Sequence, residues 1–439
     1  MKNFVKLIMM MSLIAMCSEV YAADQAVQPE HINSVTAITE VFGEGQKLTA
    51  VAVEYDQAVE NAKLATSTFM VTGRTITAVY ANTSAEKAPA PVAQMGPPGS
   101  QTPQVLQGAN GQFVIIELSP SDHGAALWVQ SGRTSARLEA KVAVTQIGEV
   151  TTTDGATYAA NPHAIINNQV VNLIVDDFQQ REFNDPTTGI TVKYNLFIPK
   201  NYDNTKSYPL VMFIHDAGVT SADTEATLVQ GLGAVIWATP AEQAKHECFV
   251  LAPQFSTQIV NDQSEAAPDL DATVNLINAL VSQYSIDTNR IYATGQSGGC
   301  MSSIFLNINY PDLFAASFLV AGQWDPTVVA PLAKDKLWIV VSAGDVKAFP
   351  GMNAITAVLE KEGANVSREM WNGQSTATEF AFLVSKMVAK GNPINYTVFQ
   401  RGTVVPACMT DDGGSNHVCT WRIAYTIEGI RDWLFRQSK

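Results

Sequence analysis

Basic residues are few. The chain carries 27 Lys and Arg against 41 Asp and Glu, a formal net charge of −14, which argues against nucleic acid as a partner and disfavours docking on anionic lipid. Long apolar runs are missing too: after residue 22 no stretch is long enough to cross a bilayer. No internal repeat is evident, so nothing points to a solenoid. Cysteine is scarce at five residues and histidine at six in a chain of 439.

The N-terminus has Lys2 and Lys6, an apolar run from Leu7 to Met16, and Val20-Tyr21-Ala22 before Ala23. That arrangement predicts a secretory signal peptide over 1–22, because the run is too short for a membrane span and the small residues suit cleavage after Ala22. Lipidation at Cys17 is discounted, since Met16 stands where a small residue is required. Loss of Lys2, Lys6 and Glu19 leaves 25 basic and 40 acidic residues, a mature charge of −15. A secreted or periplasmic location follows. There, Cys408 and Cys419 form the expected disulfide around a Gly-rich loop, contributing roughly 2–3 kcal/mol, while Cys248 and Cys300 read as small buried hydrophobes.

The pattern of the chain changes near residue 175. From 23 to 175, short β-type runs (Leu48 to Tyr55, Arg74 to Tyr80, Phe113 to Leu118, Arg137 to Val144) alternate with turn residues, which predicts a small sandwich. Between two of them the segment 84–112, rich in Pro, Gly, Ala and Gln, reads as a disordered insertion. From 176 to 439 strands alternate with helices, which predicts a mostly parallel sheet covered on both faces. Tyr208 to Ile214, Cys248 to Ala252, Ala315 to Val320 and Leu337 to Val341 read as its buried strands. Val274, Ile277, Leu280, Val281 and Tyr284 form one helical stripe, and Ile423, Ile427, Ile430 and Leu434 another. The segment 375–390 reads as a packed helix.

Gly295-Gln296-Ser297-Gly298-Gly299 follows the β-type Ile291-Tyr292-Ala293-Thr294 and precedes an apolar helical run. This is the context of a nucleophile elbow, a sharp strand-to-helix bend that leaves the serine hydroxyl exposed. Serine is nearly inert at neutral pH and needs a histidine base and an orienting carboxylate. Of the six histidines only His417 follows Ser297, in a Gly-rich loop after the β-type run Asn395 to Gln400. Asp345, at the end of Leu337 to Gly344, is the expected acid, with Asp325 as runner-up and Asp411 and Asp412 as loop charges. The Gly298 amide supplies one oxyanion donor. The second should come from the turn after Ile214, where His215-Asp216-Ala217-Gly218 resembles the H-G-x-G oxyanion loop of α/β-hydrolases; the resemblance implies the Ala217 amide, with Asp216 as alternative, and His215 bracing the loop. An aspartate at 216 stands where this kind of loop usually has glycine, so its side chain must turn away. Trp237, Trp324 and Trp421 are candidates for pocket or core.

Tyr194 to Tyr202, Tyr208 to Gly218, Trp237 to Pro240, Phe249 to Gln254 and the elbow resemble secreted α/β-hydrolase esterases related to poly(3-hydroxybutyrate) depolymerases. Ala37 to Gly43 with the following strand resembles the start of the immunoglobulin-like domain ahead of some such esterases. The resemblance implies an α/β hydrolase preceded by an all-β immunoglobulin-like sandwich, and carboxylic-ester hydrolysis by Ser297, Asp345 and His417 without metal or cofactor. A serine peptidase of the same fold and an inactive binding protein are the alternatives. Acyl length, alcohol half, polymer versus small ester, oligomeric state and the role of the N-terminal domain stay open.

Overall fold

A computed structural model describes residues 30–88, 108–131 and 134–439. The signal peptide and most of the 84–112 insertion lie outside them. Gly111 and Gln112, assigned by composition to the insertion, open the strand Gly111–Leu118.

Two compact units are present, and the chain crosses between them more than once. One holds residues up to Ala37, Ala50–Ser119 and Lys141–Val170; the other holds Ile38–Thr49, Pro120–Ala140 and Val171–Lys439. In the first unit, β-branched and apolar residues at alternate positions build two sheets, antiparallel where Gly111–Leu118 pairs with Gly45–Val59 and Ile76–Asn82 and where Ala143–Gln146 pairs with its two neighbours. A five-stranded sheet orders Gln169–Asn172, Ile32–Phe42, Gly45–Val59, Gly111–Leu118 and Ile76–Asn82, and a three-stranded one orders Ile165–Ile166, Ala143–Gln146 and Phe69–Val71. The buried Tyr55 hydroxyl donates to Gln146 Oε1 at 2.8 Å and ties the layers of this sandwich together. The expected strand Arg137 to Val144 is corrected. One strand ends at Arg137, another begins at Ala143, and Leu138, meant for the buried face, is 49% exposed.

The second unit is built on a nine-stranded sheet. Its strands are β1 (Gln179–Asn184), β2 (Thr191–Phe197), β3 (Tyr208–Ile214), β4 (Phe249–Gln254), β5 (Ile286–Gln296), β6 (Ala316–Val320), β7 (Leu337–Ser342), β8 (Val366–Trp371) and β9 (Ile394–Phe399), in spatial order β1-β2-β4-β3-β5-β6-β7-β9-β8. The β1–β2 and β2–β4 pairings are antiparallel and the rest parallel. Continuous apolar runs such as Tyr208 to Ile214 are buried along their whole length, because helices cover both faces of a parallel sheet. Those helices include α1 (Asp269–Gln283), α2 (Gly298–Asn309), α3 (Ala348–Lys361), α4 (Ala377–Val388), α5 (Gly413–Ala424) and α6 (Glu428–Phe435). The C-terminal stripe is therefore not one helix. Tyr425 caps α5, and Ile427 restarts the pattern for α6. Helix α4 is packed on Phe380, Val384 and Met387 as expected, though Phe382 is 67% exposed.

Asp335 contributes a pH-dependent cost. Burial pushes its carboxyl up to about 7, and its Oδ2 has no partner. Between the unfolded value near 4 and 7, the folded chain keeps a proton that the unfolded chain releases, so stability falls as pH rises through that window. Asp335→Asn is expected to stabilise by up to about 4 kcal/mol at pH 8 and by nothing at pH 4, as read by denaturant unfolding at both pH values.

Candidate active site

The turn after β5 places Ser297 at φ 51°, ψ −117°, a conformation that non-glycine residues adopt only where the surroundings enforce it. The enforcement comes from its flanking glycines. A Cβ on Gly299 would sit 1.9 Å from the Ile214 carbonyl oxygen, and one on Gly295 would sit 2.4 Å from the Gly299 backbone. Helix α2 can therefore lie against the ends of β3 and β5 only where side chains are absent. The Ser297 amide also donates to the Val320 carbonyl of β6 at 3.0 Å.

His417 Nε2 lies 2.8 Å from Ser297 Oγ, and its Nδ1 lies 2.5 Å from Asp345 Oδ2. Asp345 follows β7, and its other oxygen accepts from the Lys347 and Ala348 amides at 3.0 and 2.9 Å. Burial works to raise this carboxyl, but the His417 hydrogen bond and charge and the two amides hold it below the usual carboxylate range. Asp325 is not on the histidine; it accepts from the Thr327 amide and hydroxyl at 2.9 and 2.8 Å.

The Gly-rich segment around His417 is a helix rather than the expected loop. Asp412 accepts from the Ser415 amide at 2.7 Å and caps α5, so His417 stands in its second turn, edge-on to Trp421 at 5.2 Å between ring centroids. Asp412 followed three residues later by Ser415 is an N-cap signal that the two glycines obscured. The expected disulfide is also corrected. The four described cysteines are free thiols, with Cys408 exposed on the loop and Cys419 turned inward from α5. Cys248 and Cys300 are fully buried, and burial pushes both thiols up.

Residues 34–96 and 99–159 match the family described as the esterase Ig-like N-terminal domain, and residues 192–383 match esterase PHB depolymerase. A solved structure described as a thermostable esterase is 28% identical, with a TM-score of 0.74, over 93% of this chain and 100% of its own. The chain belongs to the esterases that carry this N-terminal domain. Acetylxylan esterase A of Aspergillus ficuum is 26% identical over 149 residues, 33% of this chain and 46% of that protein. A poly(3-hydroxybutyrate) depolymerase of Ralstonia pickettii is 27% identical over 158 residues, 33% and 32% of the respective chains. The chain thus spans less than half the length of these curated relatives.

In this esterase-family chain the loop after β3 is braced by His215, whose Nε2 accepts from the Phe255 amide at 3.1 Å, which leaves its proton on Nδ1, 2.8 Å from the Asp216 carbonyl. Burial pushes this imidazole's pKa down against the pull of the Asp216 carbonyl and charge, keeping it neutral. The Asp216 carboxylate turns back into its own loop, accepting from the Gly218 amide at 2.8 Å and from Gln296 Nε2 at 3.0 Å. The Ala217 nitrogen would be 3.4 Å from a Cβ on Gly298, so the Ala217 amide lies close beside Gly298. Both residues line, with Ser297, a cavity of about 300 Å³. Met301, Val346 and Trp421 give it an apolar side and Gln258, Asn261 and Lys347 a polar one. Trp237 and Trp324 belong to the core. Sequence reasoning missed Gln130, which also lines this cavity. No helix of the described residues is long and apolar enough to cross a membrane.

Proposed function

We propose that the protein is an exported serine carboxylesterase. Ser297 attacks the acyl carbon, His417 takes the hydroxyl proton on Nε2 and returns it to the leaving alcohol, and ionised Asp345 holds the imidazole and stabilises its cation. Water then repeats the sequence to release the acid. The amides of Gly298 and Ala217 receive the charge that develops on the carbonyl oxygen, each contributing about 3 kcal/mol in the transition state. The observation that carries this reading is the unbroken Ser297–His417–Asp345 hydrogen-bond line, with Gly298 and the Ala217 amide close together beside it.

A cavity of about 300 Å³ is at the small end for ligand sites, which favours a short acyl group, and the polar side suits a polar alcohol half. The acetyl esters named for the Aspergillus relatives fit that size. Export rests on the signal sequence at 1–22.

Chromogenic esters from acetyl to dodecanoyl test the proposal. Turnover is expected to be highest at acetyl to butyryl and to fall steeply beyond, with Ser297→Ala at background throughout. Equal rates across the series would overturn the small acyl pocket, and turnover surviving in Ser297→Ala would overturn the serine mechanism.

A further inference from the structure

The Asp216 carboxylate is 4% exposed, and a buried carboxylate needs donors on most of its lone pairs. Two come from neighbours in the site, the Gly218 amide and Gln296. A third comes from Gln130, whose Nε2 lies 3.4 Å from Asp216 Oδ1. Gln130 stands on the hairpin of Trp128–Ser131 and Thr134–Arg137. The sequence of that hairpin falls within the stretch matched by the N-terminal-domain family, yet by its packing it belongs to the same compact unit as Ser297. Several contacts within that unit fasten it. Trp128 is buried in the core and covers Gly45, where a Cβ would come within 2.7 Å of it. Leu127 donates to the Gln46 carbonyl at 2.8 Å, and Arg137 forms an ion pair with Glu225.

Gly218 records the fit. A Cβ there would lie 2.2 Å from Gln130 Nε2 and 2.8 Å from Asp216 Oδ1. The glutamine amide occupies the space that a side chain at 218 would take, directly on the turn that presents the Ala217 amide.

We propose that Gln130 is a positioning residue for the oxyanion loop: its amide, delivered by the hairpin, satisfies the buried Asp216 carboxylate and fixes the turn that aims the Ala217 N–H at the developing oxyanion. This rests on the serine-esterase reading. It also accounts for an aspartate at 216. The carboxylate serves as the anchor for three N–H groups, and so stays clear of the oxyanion it would otherwise repel.

Gln130→Glu keeps the shape and sets a second carboxylate against Asp216, and Gln130→Met keeps the size and removes the donor. Gly218→Ala pushes the amide aside. Each variant is made in the full chain, checked for folding by thermal melting, and assayed with an acetyl ester beside wild type and Ser297→Ala. A positioning role predicts that kcat falls about tenfold or more in Gln130→Glu and less in Gln130→Met, with KM close to wild type, since the oxyanion forms only after binding. It further predicts that the Gln130→Glu loss largely disappears in an Asp216→Asn background, because the repulsion needs both charges. If Gln130→Glu fails to fold, Gln130→Met and Gly218→Ala decide. Values of kcat within about twofold of wild type in the folded variants, a change confined to KM, or a Gln130→Glu loss undiminished by Asp216→Asn would each overturn the inference. Wild-type chain without ester turnover would bring down the esterase reading and this inference with it.

Discussion

Ser297→Ala is expected to lower kcat for a short-chain ester by about 10⁴-fold or more, and His417→Ala by a similar factor, because each removal breaks a unit whose members act together. Asp345→Asn should cost about 10³- to 10⁴-fold, since an amide in that place cannot hold the imidazole in the required tautomer or stabilise its cation. The double substitution Ser297→Ala/His417→Ala should be no worse than Ser297→Ala alone, as no proton remains to be transferred. Asp325→Asn serves as the contrast. Its carboxylate is spent on Thr327, and kcat should stay within about twofold of wild type. Steady-state kinetics on purified chains, with melting curves to exclude misfolding, measures all of these; an intact rate in Asp345→Asn with a collapsed one in Asp325→Asn would reassign the acid.

The second large effect is on folding. Gly299→Ala would place a methyl group 1.9 Å from the Ile214 carbonyl oxygen and 2.5 Å from its carbon. Both atoms belong to the backbone of a fully buried central strand, and neither can move without pulling β3 out of register with β5. Overpacking of a well-packed interior costs typically 1–3 kcal/mol where side chains can adjust; against backbone the cost should exceed about 4 kcal/mol, a large part of a domain's total stability. The variant is expected to be insoluble, or to melt more than about 10 °C lower if it is recovered. Gly363→Ala offers a control of a different kind. Nothing lies within 4 Å of its added Cβ, and its φ of +92° makes the change one of backbone strain alone, expected to cost about 1–2 kcal/mol. A Gly299→Ala chain as stable as that control would show that the elbow does not require the close approach.

Much of this was legible because the signals were local. Ile291 to Thr294 is a strand, Gly298 onward is a helix, and a turn that needs glycine on both sides carries it on both sides. Histidine scarcity left a single candidate base downstream of the serine, and the end of an apolar strand offered the candidate acid that the structure places on it. What was missed depended on contacts between distant segments or on competing local signals. Leu138 keeps the alternation of its neighbours but sits where the chain leaves one strand before the next begins, so the period ran on through a connection. Gly413 and Gly414 favour a loop by propensity, and the Asp412 cap prevailed over them. The Ile423 to Leu434 stripe is continuous in spacing but spans two helices, since the pattern is blind to a break at Tyr425 to Ile427. Gln130 carries no chemical signature in the sequence; only the fold brings its amide to Asp216.

Asp216 is the instructive case. As a residue type beside the expected oxyanion donors it argued against catalysis; in the structure its carboxylate is buried and accepts from the Gly218 amide and Gln296, the arrangement the positioning proposal builds on.

The central claim is that Ser297 is the nucleophile of an acyl transfer. The most direct measurement is a pre-steady-state burst with a p-nitrophenyl phosphonate, which transfers its phosphonyl group to an activated serine and halts there, followed by mass spectrometry of the digested chain. The account predicts release of about one p-nitrophenolate per chain and a single adduct on the peptide containing Ser297, absent in Ser297→Ala. No burst, or an adduct on another residue, would contradict it.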